Sequence, residues 1–504
     1  MKATPWKRSI AALMAAGLIF AACGSDDDDS GDSSSATTEA SSDTEAPEAT
    51  EAPEETDGED MTEETDGEDM TEETDGEDMA DGEELALEGA VEVAAGTVLA
   101  LDDCPSDWNP TLGADGDEIR IGQTLPQSGQ LASFGAIGEG MQFYFDYVNE
   151  NDPIDGKNLV LVSKDDGYEA GRAVANVEEM IDTDDIFAFA HFIGTPINLA
   201  ARPITDEACV PQPFNSSGFP FWGDPANFPW TVGNILNYVT ETEIWCDAIV
   251  DEFGEGASVA ALIMNNDFGK TYQETLQGCA DEGLITIAEE QLHDPAAPDI
   301  TNEMTTIISS DADVFVAGTT AAFCPQTVAT VAASEWRPRY YMSYTCNNLA
   351  SFFTPVQDQA IQLSDEGAGV RMTNSNKVCG DPAYADDPAI LLIEEVLADY
   401  GDVTCADGSY STGVLYAQFV EDVLRSAAAL PGGLNRVNLM SAVWNADTTN
   451  DTLLGGTLRL DGVNDAYWTE GAQIQEVVAA GDTLGFEGVT DFIDFEGEGG
   501  SFGG

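Results

Sequence analysis

Apolar residues follow two alternating periods along most of this chain. From Glu118 onward, short runs rich in β-branched residues alternate with longer stretches whose apolar residues recur at helical spacing. The first series predicts strands EIRIGQTLP, NLVLVSKDD, IFAFAHFIG and CVPQPFNSS, separated by helices GAIGEGMQFYFDYVNEN, YEAGRAVANVEEMID and PINLAARPITDEA. Such alternation is typical of α/β domains with parallel sheets.

A second series of the same kind follows the segment PWTVGNI. It predicts helices YVTETEIWCDAIVDEF, GKTYQETLQGCADEG and ITNEMTTIISS, and strands SVAALIMNN, LITIAEEQL and DVFVAGTT. Because about 400 residues exceed one ordinary hydrophobic core, we expect two lobes. The end of the chain, residues 491–504 with the run DFEGEGGSFGG, is predicted to be a disordered glycine-rich tail.

The first 23 residues have the pattern of an export signal. Lys2, Lys7 and Arg8 precede an apolar run at residues 10–20, which is too short to span a bilayer. Small residues then lead into Cys23, an arrangement that resembles a bacterial lipoprotein signal, in which the cysteine is lipidated and begins the mature chain. An ordinary signal peptide with a chance cysteine is the alternative. We expect an extracytoplasmic protein that is lipid-anchored to the outer face of the cytoplasmic membrane and has no other membrane contact.

Residues 24–103 are predicted to form an acidic, disordered tether. They hold 32 Asp and Glu residues and no Lys or Arg, and they include three successive nine-residue repeats, ETDGEDMTE twice and then ETDGEDMAD. Such a segment cannot bury enough apolar surface to offset its chain entropy. Calcium binding by the repeats is a weaker alternative, since they lack the ligand spacing of a dedicated calcium loop.

The charge of the whole chain limits its partners. The sequence has 95 acidic and 16 basic residues, for a formal net charge of −79. A field of this sign repels nucleic acid and anionic lipid. We therefore expect no nucleic-acid partner.

Eight cysteines remain after Cys23, an even number in a chain that we expect to be exported. Disulfides are the natural interpretation, and eight cysteines allow 105 pairings. We expect Cys246–Cys279, Cys324–Cys346, Cys379–Cys405 and Cys104–Cys209. The sequence has no C-x-x-C pair, which disfavours a thiolate metal site.

The ordered set of elements resembles one family. IRIGQTLPQSGQLASFGAIGEGMQFYFDYVNE, IDGKNLVLVSKDDGYEAGRAVANVEEMI, MNNDFGKTYQETLQGCADEG and DVFVAGTTAAFCPQTVATVAASEW are similar to the branched-chain amino-acid-type binding proteins of ABC importers, over about residues 118–475. The resemblance implies a type I periplasmic-binding-protein fold, with two Rossmann-like lobes and three hinge crossings near residues 236–240, 344–362 and 453–458. Lobe 1 would comprise residues 104–238 and 363–455, and lobe 2 residues 239–362 and 456–490. A helix in STGVLYAQFVEDVLRSAAAL would return to lobe 1, and GGTLRLDGVNDAYW would be a closing hairpin in lobe 2.

The resemblance also implies where a small ligand would bind. In lobe 1, polar groups follow the predicted strands, where helix N-termini offer free N–H groups. Capping and turn formation are the alternative role of these residues, and ordinary packing is the alternative for the aromatic ones. The candidates in lobe 1 are Ser128, Phe134, Gly194, Thr195, Asn215, Ser216 and Ser217, and those in lobe 2 are Phe268, Thr319, Thr320 and Tyr344.

One departure from the family pattern concerns the charge of the ligand. Amino-acid binders of this family carry an acidic residue after the strand that matches VAGTT, and here that neighbourhood reads AAFCPQ. A buried ammonium without a counter-charge is costly. Either Asp267 compensates, or the ligand is an amide, a carboxylate or an apolar solute rather than an ordinary amino acid. The aromatic loop FPFWGDPANFPW is consistent with a bulkier ligand, or with hinge packing alone.

Catalysis is not indicated. The chain has two histidines, of which His191 is predicted to be a buried structural residue and His293 a solvated loop residue. Neither G-x-S-x-G nor H-E-x-x-H occurs. We expect a monomeric solute-binding protein without cofactor or metal, whose partners are a small molecule and the permease subunits of an ABC importer. A ligand-sensing receptor subunit with the same two lobes is the alternative, and an adhesive surface protein is a third interpretation.

Overall fold

The structure is a computed structural model and describes residues 84–495. Residues 1–83 and 496–504 lie outside the described part. The predicted signal segment, the lipidation site Cys23, the repeats of the tether and most of the predicted tail therefore fall outside it.

Strands make up the two main sheets and several small ones. In chain order they are β1 (Ala90–Ala94), β2 (Thr97–Ala100), β3 (Glu118–Leu125), β4 (Asn158–Asp165), β5 (Ala188–Phe189), β6 (Gln212–Asn215), β7 (Thr231–Gly233), β8 (Ala257–Met264), β9 (Ile285–His293), β10 (Val314–Gly318), β11 (Arg339–Met342), β12 (Val370–Asn374), β13 (Asp447–Thr448), β14 (Leu458–Arg459), β15 (Gly471–Ala480), β16 (Thr483–Gly488) and β17 (Ile493–Asp494).

Helices cover both sheets. In chain order they are α1 (Gly135–Asn151), α2 (Ala170–Asp182), α3 (Thr195–Glu207), α4 (Tyr238–Phe253), α5 (Asp267–Asp281), α6 (Thr301–Ser309), α7 (Phe323–Ala333), α8 (Gln357–Asp365), α9 (Pro388–Val396), α10 (Tyr410–Ala429) and α11 (Arg436–Trp444).

The first lobe is built on a parallel sheet. Strand β3 lies between β4 and β5, and β6 pairs with β7, all in parallel. A parallel bridge between Ile193 and Ser216 continues β5 alongside β6 and joins the two pieces. The strand predicted at IFAFAHFIG therefore exists, although its regular part is two residues long.

The second lobe is built on a mixed sheet of order β16-β15-β12-β11-β10-β8-β9, with β17 paired to β15. Strands β8 to β12 run parallel, and β15 and β16 add antiparallel strands at one edge. Buried Val259, Val314 and Tyr340 belong to the main core of this lobe, whereas Ile121, Phe145 and Val420 belong to a separate core in the first lobe. The predicted fold class, α/β with two lobes and parallel sheets, is confirmed.

The N-terminal boundary of the folded part lies earlier than predicted. Strands β1 and β2 form an antiparallel hairpin, with Gly96 in the turn at φ +64°. Its side chains Val91, Val93 and Leu99 are buried in the core of the first lobe. The disordered tether expected over residues 24–103 therefore does not include residues 90–103, because this stretch buries enough apolar surface to pack.

The lobe boundaries also differ from those predicted. Strand β12 pairs with β11 and β15, so residues 370–374 belong to the second sheet although the sequence placed 363–455 in lobe 1. The chain leaves the first lobe after β7, returns at about residues 375–380 and crosses again just before β15. The first crossing is near the predicted position, and the other two are later in the chain.

The hairpin expected in lobe 2 at GGTLRLDGVNDAYW is not found there. Leu458, Leu460 and Trp468 are buried in the core of the first lobe, and β14 pairs with β13. The hairpin that closes the second sheet is β15–β16. Because β17 pairs with β15, residues 493–494 of the predicted tail are ordered in the sheet.

Four disulfides staple the two lobes internally. The structure pairs Cys104 with Cys209, Cys246 with Cys279, Cys324 with Cys346, and Cys379 with Cys405. These are the four pairs expected from the sequence. Among residues 84–495, no helix combines the length and apolar character needed to cross a membrane.

Candidate functional site

A partly open cavity of about 140 Å³ lies where the three crossings meet the two lobes. The crossings supply Asn234, Ser375 and Thr469 to its wall. The Thr469 hydroxyl donates to the backbone carbonyl of Asn234 at 2.8 Å, which holds the first and third crossings together. The Cys379–Cys405 disulfide fixes the second crossing beside the start of α10.

Aromatic side chains from both lobes close one side of the cavity. A 3-10 turn at Gly129–Phe134 places Phe134 at the start of α1, and its ring meets Phe352 of the second lobe edge-on, with centroids 6.0 Å apart. Both rings line the cavity. The lobes are therefore in contact across the cleft.

The start of α10 forms another wall. Glycines at the crossing of α1 and α10 let the helices touch, since a Cβ on Gly413 would lie 2.0 Å from the carbonyl oxygen of Ile137. This close approach brings Ser409, Ser411 and Thr412 to the cavity. The Ser409 hydroxyl also lies 3.0 Å from that of Ser351, which belongs to the second lobe.

A buried histidine orients one polar group of the cavity. His191 is fully buried between the rings of Tyr416 and Phe214, with centroid distances of 4.3 and 5.7 Å. Its Nε2 lies 3.0 Å from the backbone carbonyl of Tyr416, and its Nδ1 lies 3.2 Å from Asn234 Nδ2. A carbonyl oxygen can only accept, so Nε2 carries the proton and Nδ1 accepts from the amide of Asn234.

Burial keeps this imidazole neutral. It lowers the pKa of His191 from 6.5 to about 3, because the charged form would lose its hydration. The prediction of a buried structural histidine is confirmed.

Polar atoms without a well-formed hydrogen bond surround the cavity. Within the described residues, the hydroxyl of Tyr344 makes none, and Ser216 Oγ and Asn234 Oδ1 make none of good geometry, although both residues lie beside the hydroxyl of Tyr416; all three residues line the cavity. Ser216 and Asn234 are 8% and 2% exposed. Since buried polar groups in native proteins are normally paired, this cluster is suited to bind a polar solute.

The charged groups near the cavity are already paired. Lys377 lines it, but its Nζ donates to Asp387 Oδ2 at 2.6 Å and to the carbonyl of Asp451 at 2.7 Å. None of the described residues in the lining is an Asp or Glu. Asp267, proposed from the sequence as a counter-charge for an ammonium, is exposed at the start of α5 and does not line the cavity.

Glu241 is a buried carboxyl beside the cavity residue Tyr344. It accepts hydrogen bonds from the backbone N–H of Tyr344 and the hydroxyls of Tyr272 and Thr373, at 2.6–2.9 Å. Burial outweighs these bonds and raises the pKa of Glu241 to about 8. It is therefore mainly uncharged at neutral pH and does not supply a carboxylate to the cavity.

Three of the ligand residues predicted from the sequence line this cavity, namely Phe134, Ser216 and Tyr344. Two other candidates are hydrogen-bonded to each other: Thr195 Oγ1 and Ser217 Oγ are 2.8 Å apart, and both residues are fully buried. That those two hydroxyls face a ligand stays a prediction; in this structure each is the hydrogen-bond partner of the other.

The remaining candidates in lobe 1 also lie outside the cavity lining. Ser128 donates to Asp165 Oδ2 at 2.7 Å. The backbone of Gly194, at φ +103°, is covered by the ring of Tyr168, which a Cβ would meet at 2.3 Å. Asn215 is buried and accepts from Gln212.

The candidates in lobe 2 are mostly buried in packing. Phe268 meets Tyr238 edge-on at 5.1 Å, and Thr320 is buried without lining the cavity. Thr319 Oγ1 lies 2.8 Å from His293 Nε2. The sequence placed His293 in solvent, and this prediction is wrong: the residue is 1% exposed, because it ends β9 against Thr319 and the ring of Phe323.

Sequence reasoning missed most of the cavity. The missed residues are polar groups in crossings, loops and the first turn of α10, and one aromatic residue of that helix: Asn234, Asn347, Asn348, Ser375, Asn376, Ser409, Ser411, Thr412, Tyr416, Thr452 and Thr469. The motif YSTG at the start of α10 was a usable signal, because it places hydroxyls at a helix N-terminus.

A protein-family model described as periplasmic binding protein matches residues 118–481 of this chain. This chain belongs to that family. No curated protein sequence matches the chain significantly. Like the cleft of other two-lobed binding folds, the cavity of this binding protein lies where the lobes meet.

Solved structures are similar to this binding protein in fold. A branched-chain amino acid ABC transporter protein from Thermus thermophilus with bound valine is 19% identical, with a TM-score of 0.65, over 75% of this chain and 96% of that one. A fatty acid ABC transporter substrate-binding protein from Thermomonospora curvata is 17% identical, with a TM-score of 0.64, over 79% and 99% of the two chains.

A third similar structure is a solute-binding protein of an ABC transporter from R. palustris in complex with 4-hydroxybenzoate. It is 17% identical, with a TM-score of 0.60, over 75% of this chain and 97% of that one. Valine and 4-hydroxybenzoate, the molecules bound in two of these structures, differ in charge and shape, so the common fold does not itself select a ligand.

Proposed function

We propose that this chain is an extracytoplasmic solute-binding protein that encloses a small molecule between its lobes and delivers it to an ABC importer. The observation that carries the proposal is the cavity at the three crossings, whose wall combines residues of both lobes with buried polar atoms that lack hydrogen bonds of good geometry within the described residues. The family and the transport roles of the similar structures support the same role for this chain.

The mechanism follows from how the wall is divided. Phe134 and Ser216 belong to one lobe, and Tyr344 and Phe352 belong to the other. A solute that contacts all four is bound more tightly when the lobes are closed than when they are open, and it therefore favours closure. Closure then presents one joined surface of both lobes to the permease.

A thermal-shift screen of the purified full chain tests solute binding. The panel contains amino acids, amides, carboxylates and aromatic acids. A ligand at 100 times its dissociation constant stabilises the fold by about 2.7 kcal/mol, which gives a clear rise in the melting temperature. If no class of compound raises it, the proposal of solute binding is refuted.

A cavity-filling variant places the effect at this site. Thr412→Trp puts a large ring into the wall, and we expect it to abolish the shift produced by any compound that stabilises the original chain. Thr305→Trp, on the exposed face of α6, is the matched control and retains the shift. Equal shifts in both variants would place binding elsewhere on the chain.

We further propose that Cys23 is lipidated and that residues 1–23 act as its signal, with the acidic segment 24–83 as a tether between membrane and folded part. The sequence pattern around the cysteine supports this assignment. Metabolic labelling with a palmitate analogue tests it. We expect label and membrane association in the original chain, loss of both in Cys23→Ser, and a monomeric folded part. Retention of label in Cys23→Ser would refute the anchor.

A further inference from the structure

We propose that the cavity selects an uncharged solute that carries a carboxamide-like pair of hydrogen-bond donor and acceptor on an apolar body of about benzene size. This inference rests on the proposed function and concerns its ligand class.

The orientation of Asn234 is fixed by a chain of hydrogen bonds. The carbonyl of Tyr416 requires a proton on His191 Nε2, so Nδ1 is bare and accepts from Asn234 Nδ2. The other end of the same amide, Oδ1, is then left as an acceptor. Within the described residues this oxygen has no hydrogen bond of good geometry, since its polar neighbour, the hydroxyl of Tyr416, also lies beside Ser216, and Asn234 lines the cavity at 2% exposure.

An unpaired buried acceptor favours a ligand that donates. Leaving such a group without a partner costs about 1–3 kcal/mol, so a ligand N–H or O–H placed there restores what burial removed. Within the described residues, Ser216 Oγ in the first lobe and the hydroxyl of Tyr344 in the second also lack a hydrogen bond of good geometry, and each can donate to a ligand carbonyl. A carboxamide offers both groups on one planar unit.

The charge of the wall argues against amino acids and carboxylic acids. An ammonium finds no carboxylate in the described lining, and Glu241 is held by three donors outside it. A carboxylate finds one cation, Lys377, which is already bound to Asp387 and Asp451. A carboxylate would also meet Asn234 Oδ1, which cannot donate. Burying either charge here is unfavourable.

The apolar part of the wall sets the body of the solute. Rings and branched side chains from the start of α1, the segment after β5, α10 and the second lobe surround it: Phe134, Ile137, Ile193, Phe352, Leu415 and Phe419. The volume of about 140 Å³ is close to the roughly 150 Å³ of an apolar cavity that holds one benzene molecule. A branched or aromatic amide of six to nine heavy atoms is of this size.

Three probes with the same branched body separate the charge states: isovaleramide, isovalerate and valine. In titration calorimetry of the purified full chain, we expect isovaleramide to bind at least tenfold tighter than isovalerate, and valine to give no binding. Valine or isovalerate binding as tightly as the amide would overturn the inference. So would the absence of binding by all three, whereas the proposed function is judged separately by the wider thermal-shift panel.

Variants of Asn234 test the oriented acceptor. We expect Asn234→Leu to weaken isovaleramide at least tenfold, whereas Asn464→Leu, at an exposed position, leaves the affinity unchanged. Circular dichroism shows whether the leucine variant folds. If it does not, Asn234→Ser, which is smaller and polar, replaces it, and we expect the same loss of affinity. Unchanged affinity in a folded Asn234 variant would overturn the role of this residue.

Discussion

The neutral His191 makes the stability of this protein dependent on pH in a direction that can be calculated. Its pKa is lowered from 6.5 to about 3 by burial. The histidine of the unfolded chain is therefore protonated below pH 6.5, whereas that of the folded chain is protonated only when the pH approaches 3. The contribution of His191 to stability is complete above pH 6.5 and is lost as the pH falls toward 3.

The magnitude follows from the two pKa values. Each pH unit below 6.5 costs about 1.36 kcal/mol, so between pH 7.5 and pH 5.0 the term from His191 amounts to about 2 kcal/mol. His191→Gln removes the titrating group. We expect this variant to be less stable at pH 7.5, because it loses the ring stacking, but to lose about 2 kcal/mol less than the original chain on going to pH 5.0.

Urea unfolding followed by tryptophan fluorescence at pH 7.5, 6.0 and 5.0 measures this difference. His293 is also buried, and its pKa is lowered by burial, but it is present in both proteins and cancels in the comparison. His293→Gln is the matched control and should show its own, separate reduction of the acid effect. If His191→Gln and the original chain lose stability equally, the buried neutral imidazole is refuted, and the orientation of Asn234 with it.

Three further outcomes are expected from the fold. Leu99→Ala should destabilise by about 2–5 kcal/mol in urea unfolding because the N-terminal hairpin is part of the core, whereas exposed Val98→Ala changes stability by less than about 0.5 kcal/mol; equal effects would contradict this. The raised pKa of Glu241 makes the original chain less stable as the pH rises from 4.5 to about 8. Glu241→Gln lacks this loss, so its free energy of unfolding relative to the original chain should increase by more than about 1 kcal/mol from pH 5 to pH 8. A constant difference across this range would contradict the prediction. Replacing Cys104 and Cys209 by serine should cost about 4–5 kcal/mol, because the disulfide closes a loop of sequence separation 105, and an unchanged urea midpoint would contradict this.

Long elements with a strong period could be predicted from the sequence. The helices at residues 135–151 and 238–253 have the predicted bounds, because their apolar faces extend over four turns or more. The hairpin at β1 and β2 was missed for a compositional reason. Its alternation of Val91, Val93 and Leu99 is short and follows a long acidic stretch, so the average character of the segment concealed it.

Pairing between distant strands could not be predicted in the same way. The pattern of β12 indicates a strand but does not tell which sheet receives it, and that choice depends on its neighbours β11 and β15. The cavity is similar. The role of Asn234 depends on the tautomer of His191, which depends on a carbonyl 225 residues away in α10.

The three crossings have a consequence for the order of events during capture. Asn234, Ser375 and Thr469 line the cavity from the three crossings. If the lobes turn about these crossings, as hinged lobes do, the distances of the three residues from a seated solute are expected to change little as the cleft opens. A solute can therefore contact these three residues, which form the floor of the cavity, first. It retains those contacts when Tyr344 and Phe352, which form the roof, close over it. The floor then determines the affinity of the open protein for the solute, and the roof determines how slowly the closed protein releases it. Substitutions in the floor should thus act on the rate of capture as well as on release, whereas substitutions in the roof should act mainly on release.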